Sequence, residues 1–277
     1  LMTTSPQVGA ILNITPNHLD RHKTMEAYSA AKFNIIKHQN GSNMAVLSAD
    51  DQMTRRFEEL VVGELAQFSN RKMLLNGAFR MGSRLMVSGT ASYDYVPHVL
   101  CEKDEIPLRG EHNIANVLAA CAIAGSLGLA ADRPGISPDT MREAIINFKP
   151  VPHRLEDVAV VDEVSYVNDS IATAPERVVA ALRSFDEPLV LLLGGADKDL
   201  RWEEAVHMSL RKAHSIILFG EEGEKQVRTK ARRLFNLMGA KDRILHEVDD
   251  LEAAVSKAQT LASAGDVVLL SPGGTSY

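Results

Sequence analysis

The chain is 277 residues long, 45% hydrophobic and 24% charged, which is length for about two domains and the composition of an ordinary globular protein. A formal net charge of −6, with no run of five basic residues, excludes non-specific nucleic-acid binding, so a phosphate-bearing ligand must be held by a few local Lys, Arg or backbone N–H groups. Its two cysteines, Cys101 and Cys121, are too few for a disulfide framework and lack metal-ligand spacing.

In chain order, Gln7 to Ile14 reads as a strand, Thr24 to Lys37 as a helix and Met44 to Ser48 as a short strand. Asp50 or Asp51 can cap a helix running to about Leu60. From Gly63 to Leu108 short alternating runs (ELAQF, KMLL, RLMV) are broken by Asn-Gly, Met-Gly and Ser-Gly, the punctuation of β-hairpins. Glu111 to Leu129 is a long helix, and Ser137 to Phe148 another, with Ser137 as N-cap and Pro138 in the first turn. "FKPVPHRLE" is then an extended linker, which puts a domain boundary near Pro150 and predicts domains over residues 1–150 and 151–277.

Beyond the linker, the runs VAVV, VSYVN, LVLLLGG, SIILFG, RILHEV and DVVLLSP alternate with helical segments. Near-continuous apolar strands separated by helices predict a mostly parallel sheet covered on both faces, with ligands at the carboxyl ends of its strands. The fold class expected is therefore α/β, in two domains. The most apolar stretch, Val117 to Ala131, is too short to span a bilayer, and no secretory signal is evident, so a reducing cytoplasmic compartment is expected. The chain begins at Leu1 in strand-like sequence and stops at Tyr277 just past a strand, which predicts a fragment of a longer protein.

Several polar groupings fall at strand ends. His18-x-Asp20-x-His22 has only a weak metal-ligand spacing, and taken alone these residues read first as helix-capping and loop residues. Lys32 closes the helical segment that follows. It is either a solvated cation, a phosphate partner, or an amine that adds carbon dioxide to become a carbamate, an oxygen ligand suited to Mg²⁺. Asn113 and Asn116 in "GEHNIANVLAA" lie three apart and share a helix face, as caps or as amides reading a purine base. Asp169 and Ser170 end the strand in "YVNDSIATAPE", where Thr173 to Glu176 matches a capping box whose helix N-terminus favours anions. Lys198 in "GGADK" and the hydroxyls of "PGGTSY" complete three polar, glycine- or hydroxyl-bearing loops at the edge of one sheet. No phosphate-binding loop of the G-x-x-x-x-G-K-[ST] type and no G-x-G-x-x-G is present, which weighs against a nicotinamide dehydrogenase.

In this order the blocks "NITPNHLDRHKTMEAYSAAK", "RGEHNIANVLAA", "PHRLE", "YVNDSIATAPE", "LLLGGADKD" and "LLSPGGTSY" closely resemble the Mur ligases of peptidoglycan synthesis. The related folylpolyglutamate synthases share the earlier blocks, and the pairing of "NDSIAT" with "LLSPGGTS" points to the glutamate-adding branch. The resemblance implies a central ATP-binding domain, partial and with a β-hairpin region, followed by a Rossmann-like C-terminal ligase domain. It implies an ATP- and Mg²⁺-dependent ligase that joins D-glutamate to UDP-N-acetylmuramoyl-L-alanine through an acyl phosphate, in cell-wall synthesis. The enzyme is then a cytoplasmic monomer with no nucleic-acid or membrane partner.

Residue by residue, the resemblance makes His18 a Mg²⁺ ligand and Lys32 a carbamylated lysine holding a second Mg²⁺. Asn113 and Asn116 would contact adenine, and Arg154 and Asp169 the ATP phosphates and ribose. Thr173, Lys198 and Ser276 would hold the incoming glutamate. Ile171 stands where some members carry a second glutamate-binding lysine, and Asn17 where an aspartate is common. The uridine-nucleotide domain and phosphate loop are expected upstream of Leu1, so the fragment by itself is expected to be inactive. Competing readings are another amino-acid ligase of the same type and, in a different class, a non-catalytic nucleotide-binding module.

Overall fold

In the computed structural model, which describes residues 3–15, 19–89, 94–130, 136–240 and 244–275, the chain divides into two units. Residues 1–107 with 111–149 make the first, and residues 108–110 with 150–277 the second. Among the described residues no helix is long and apolar enough to cross a membrane.

Unit 1 runs β1 (Val8–Ile11), α1 (Leu19–His22), α2 (Met25–Phe33), β2 (Met44–Ser48), α3 (Gln52–Arg55), β3 (Glu64–Ser69), β4 (Gly77–Met81), β5 (Arg84–Gly89), β6 (Asp94–Glu102), α4 (Glu111–Ala130) and α5 (Pro138–Ile146). Its strands form one sheet in sequence order. Thr24 caps α2, its hydroxyl accepting from the Ala27 N–H at 3.1 Å. The helix ends at Phe33 rather than Lys37, because the Ile35 and Ile36 N–H groups bond three residues back and tighten the last turn. Of the two candidate caps for α3, Asp51 is the one used, accepting from Met53 N and Thr54 N. Asp50 instead accepts from Ser69 Oγ and Asn70 N, both at 2.7 Å. The helix expected to reach Leu60 stops at Arg55 and resumes only as a 3₁₀ turn, Glu58–Leu60.

The Gly63–Leu108 stretch departs from the hairpin reading. β3 and β4 both join the sheet in parallel, and only β4–β5–β6 is an antiparallel meander. The "KMLL" run lies in the β3–β4 loop, and the strand is "GAFRM". Parallel neighbours ordinarily need a crossover of about a dozen residues. Here Gln67 pairs with Gly77, so β4 begins near where β3 ends and the chain needs only a short return. Asn76-Gly77 is therefore a close backbone approach, not a hairpin turn. A Cβ on Gly77 (φ 129°) would sit 1.8 Å from the Gln67 carbonyl oxygen. The apolar cluster of Ile11, Ile14, Tyr28, Ile36, Ala45, Leu47 and Phe57 packs α2 against this sheet, and α4 crosses β1 to β4. Ser137 and Pro138 start α5 as the sequence predicts, with Ser137 Oγ accepting from Thr140 N.

Unit 2 continues with β7 (Glu156–Val161), β8 (Val164–Asn168), α6 (Pro175–Leu182), β9 (Leu189–Gly194), α7 (Glu203–Lys212), β10 (Ala213–Phe219), α8 (Val227–Leu237), β11 (Leu245–Val248), α9 (Leu251–Leu261) and β12 (Val267–Gly273). The sheet order is β11-β10-β9-β12-β8-β7, parallel except for β7. A two-residue turn with positive φ at Asp162 (51°) and Glu163 (62°) makes β7–β8 a hairpin. Strand β9 shows why both faces are covered. Leu189, Leu191 and Leu193 enter the core with α6, α7 and α8, while Val190 and Leu192 face Ala254 and Ala258 of α9. Because β12 inserts between β8 and β9, the segments after Asn168, Gly194 and Gly273 emerge side by side at one sheet edge.

Candidate functional site at the carboxyl edge of the second sheet

The three loops at this edge are fastened to one another by their backbones. Gly273 N donates to Ala172 O at 2.7 Å, and Ala196 and Thr275 exchange two bonds of 2.9 and 3.0 Å. Asp169 N donates to Leu270 O at 2.8 Å. The β12 loop reaches this position over a tryptophan. A Cβ on Gly273 (φ 73°) would lie 2.3 Å from Cη2 of Trp202, a residue 1% exposed.

The capping box predicted at Thr173 is not formed. The N-cap of α6 is Ala174, without a side-chain cap bond. Pro175 in the first turn has no N–H to offer a cap, and the Thr173 hydroxyl accepts instead from Lys198 Nζ at 3.2 Å. Lys198 and Thr173, from loops 25 residues apart, thus meet at the sheet edge. Ser276 lies outside the described residues. Ile171, whose carbonyl accepts from Thr173 N at 2.9 Å, has an exposed apolar side chain.

Asp169 is buried at 5% exposure. Its carboxylate accepts from Ser271 Oγ at 3.1 Å and from Leu155 N at 3.3 Å. Burial pushes this carboxyl up to about 6, against the opposing pull of those two donors and of the Arg177 and Arg154 charges. The Leu155 bond also holds a tight turn in which His153 (φ 66°) and Leu155 (φ 45°) both take left-handed backbone, and that turn carries Arg154. Asn168 Nδ2 meets His153 Nδ1 at 3.0 Å across its base.

Asp197, Trp202 and Lys230 were not singled out from sequence. Asp197, with a side chain 4% exposed, accepts from Trp202 Nε1 at 2.9 Å, Lys230 Nζ at 2.7 Å and Asp199 N at 3.0 Å. Burial alone would lower the Lys230 ammonium, but the bonds and charges of Asp197 and Asp199 hold it above the ordinary lysine range. The one available sequence signal was the single tryptophan, placed just after a glycine-bearing strand end.

Unit 1 carries the other candidates. Lys32 is exposed near the end of α2, with its ammonium 5.3 Å from the centroid of the Tyr28 ring. His22 lies on the same ring at 5.2 Å. His18 and Asn17 lie outside the described residues. Among the described residues no three His, Cys, Asp or Glu side chains gather as a metal site. A carbamate on Lys32 would add oxygen donors there.

Asn113 is buried in the first turn of α4, and Asn116 Nδ2 donates to its Oδ1 at 3.3 Å. That turn is anchored by Glu111, which accepts from Arg80 (2.8 Å), Lys103 (3.0 Å) and Asn70 (2.8 Å).

Residues 1–124 match the Mur ligase middle domain, and residues 153–274 the Mur ligase glutamate ligase domain. The chain is 35% identical over 276 residues to a UDP-N-acetylmuramoylalanine–D-glutamate ligase of Clostridium botulinum (strain Loch Maree). It is 38% identical over 280 residues to the ligase of the same name from Roseiflexus sp. (strain RS-1). All or nearly all of this chain (100% and 99%) is covered, but only 56% and 57% of those relatives, so it spans about half their length. In fold it resembles MurF from Acinetobacter baumannii, with a TM-score of 0.68 at 17% identity over 98% of this chain and 57% of that one. A Mycobacterium tuberculosis folylpolyglutamate synthase complexed with ADP and AMPPCP gives 0.67 at 15% identity over 97% and 62%. At such identities these two likenesses concern the fold alone.

Proposed function

The chain belongs to the Mur ligase family, and from that premise we propose that it forms the middle and C-terminal domains of a ligase joining D-glutamate to UDP-N-acetylmuramoyl-L-alanine at the expense of ATP. The observation that carries the reading is 35–38% identity, along the whole or nearly the whole of this chain, with ligases of that name. A supporting one is the meeting of Lys198 and Thr173 at the edge of the second sheet.

In this reading the substrate carboxylate is first phosphorylated, and the amine of D-glutamate then attacks the acyl phosphate and expels phosphate. The chain's own residues divide between binding and positioning. Lys198 supplies a cation, and Thr173 a hydroxyl, for the carboxylates of the amino acid, with Ser276 as a third contact. Asn113 and Asn116 present paired amides suited to the edge of adenine. Asp169 and Arg154 serve the ribose and phosphates; held by burial at about 6, Asp169 is ionised at neutral pH and able to accept from a ribose hydroxyl. Mg²⁺ would be held by His18 and a Lys32 carbamate, and when bound it neutralises charge on the transferring phosphoryl group. The two cysteines are free and buried, in keeping with a reducing, cytoplasmic compartment.

The test is D-glutamate- and UDP-N-acetylmuramoyl-L-alanine-dependent release of phosphate by the complete polypeptide carrying this chain. Lys198→Ala should raise the KM for D-glutamate at least about tenfold, on the order of 1.4 kcal/mol, and leave that for ATP nearly unchanged. Equal turnover with other amino acids, or a Lys198→Ala effect confined to ATP, would overturn the assignment.

A further inference from the structure

Lys198 sits between two aspartates in "ADKDL", the neighbours best placed to capture its charge. Neither does. Asp197 and Asp199 both turn to Lys230 on α8, at 2.7 and 3.3 Å, while Lys198 reaches across to the Thr173 hydroxyl. Asp197 is the leg that matters, since its side chain is nearly inaccessible whereas Asp199 is fully exposed and its pairing is screened. With Trp202 Nε1, Lys230 Nζ and Asp199 N all on its oxygens, the Asp197 carboxylate is satisfied without Lys198.

We propose that Lys230 is a positioning residue for amino-acid recognition: it neutralises the buried Asp197 so that the adjacent Lys198 presents an uncompensated positive charge at the sheet edge. The inference rests on the reading of Lys198 as a contact to a carboxylate of the acceptor. Without Lys230, an unpaired buried carboxylate would stand one residue from Lys198. Burying an unpaired charge is costly, and Lys198 is the nearest cation in sequence able to relieve it. Lys230 would thus act on the substrate without touching it. Its contribution matters more in this chain because Ile171 brings no second charge.

The test is a set of variants in the complete enzyme, each checked for folding by thermal unfolding. Lys230→Met should raise the KM for D-glutamate about tenfold and leave the KM for ATP nearly unmoved, since one lost local charge is felt mainly by the anion it served. Lys230→Arg should restore most of the loss. The deciding variant is Lys230→Met combined with Asp197→Asn, in which no buried carboxylate remains beside Lys198, the remaining Asp199 is fully exposed and screened, and Trp202 keeps an acceptor. Its KM for D-glutamate should return to within about threefold of the parent, roughly 0.6 kcal/mol. A double variant as impaired as Lys230→Met would overturn the proposal and leave Lys230 a packing residue. So would a Lys230→Met enzyme with an unchanged glutamate KM while Lys198→Ala is impaired. If Lys198→Ala itself leaves the glutamate KM unchanged, the functional reading fails first. Should Lys230→Met not fold, Lys230→Gln, which keeps a hydrogen-bond donor but no charge, gives the same comparison.

Discussion

The two units place their chemistry-bearing residues on different supports. In unit 2 they stand on loops that bond to one another: Ala172 to Gly273, Ala196 to Thr275, Asp169 to Leu270. A buried tryptophan and a buried carboxylate lie beneath those loops. In unit 1 Lys32 stands exposed near the end of a nine-residue helix, steadied among the described contacts by the Tyr28 ring. Asn113 and Asn116 are better held, by an ion cluster around Glu111. The contrast teaches that a parallel-sheet edge can preorganise a site through main-chain bonds, whereas a lone side chain on a helix end leaves its geometry to whatever binds it.

The sharpest test of that contrast is Lys32→Ala in the complete enzyme. If the loosely supported residue nonetheless holds charge at the reacting phosphoryl group, turnover should fall at least about a thousandfold, on the order of 4 kcal/mol. Acetate should restore part of it by supplying the lost oxygen ligands. Rescue by an alkylamine and none by carboxylates would instead make Lys32 a working cation.

Gly273→Ala attacks the other side of the comparison. The new methyl would be driven into Trp202, and the backbone would hold a left-handed φ of 73°, so urea denaturation should show a loss of about 3 kcal/mol. The KM for D-glutamate should rise with it, because the same ring holds Asp197. Unchanged stability would mean that the edge is not a cross-braced unit.

The smallest expected effect is a pH dependence at Asp169. Its carboxyl is raised to about 6 when folded against about 3.9 unfolded. Between these values the unfolded chain gives up the proton first, so stability falls as pH rises from about 4 to 6 and the penalty is complete above 6. Its size is at most about 3 kcal/mol. Asp169→Asn should therefore gain stability relative to the parent at pH 7, and the gain should vanish near pH 4. A gain of the same size at both pH values would show that the carboxyl ionises freely in the fold.

Much of this architecture was legible from residue order. Thr24, Ser137 and Pro138 start helices as their chemistry predicts. The apolar runs after residue 150 form the expected mostly parallel sheet, because strands buried on both faces have no polar alternation to confuse them. The absent strand assignment at Gly77–Met81 has a specific cause. Asn-Gly signals a turn when only neighbours are considered, and the Gln67 carbonyl that makes glycine necessary there arrives from another strand. Thr173 misled for a similar reason: its spacing to Glu176 fits a capping box, but its partner is 25 residues away.

What the sequence determined by itself was periodicity and local chemistry: which runs are apolar on one face or two, where caps and glycines punctuate them, and which loops carry Asp169, Thr173 and Lys198. The tertiary structure alone decided how those charges are apportioned. Asp197, Lys198 and Asp199 are consecutive, and nothing in that triplet says which acid Lys198 will pair with. The answer comes from Lys230, more than thirty residues on in α8, and from the indole of Trp202. An ion pair is chosen by distance and burial in the folded chain, quantities that no local pattern encodes.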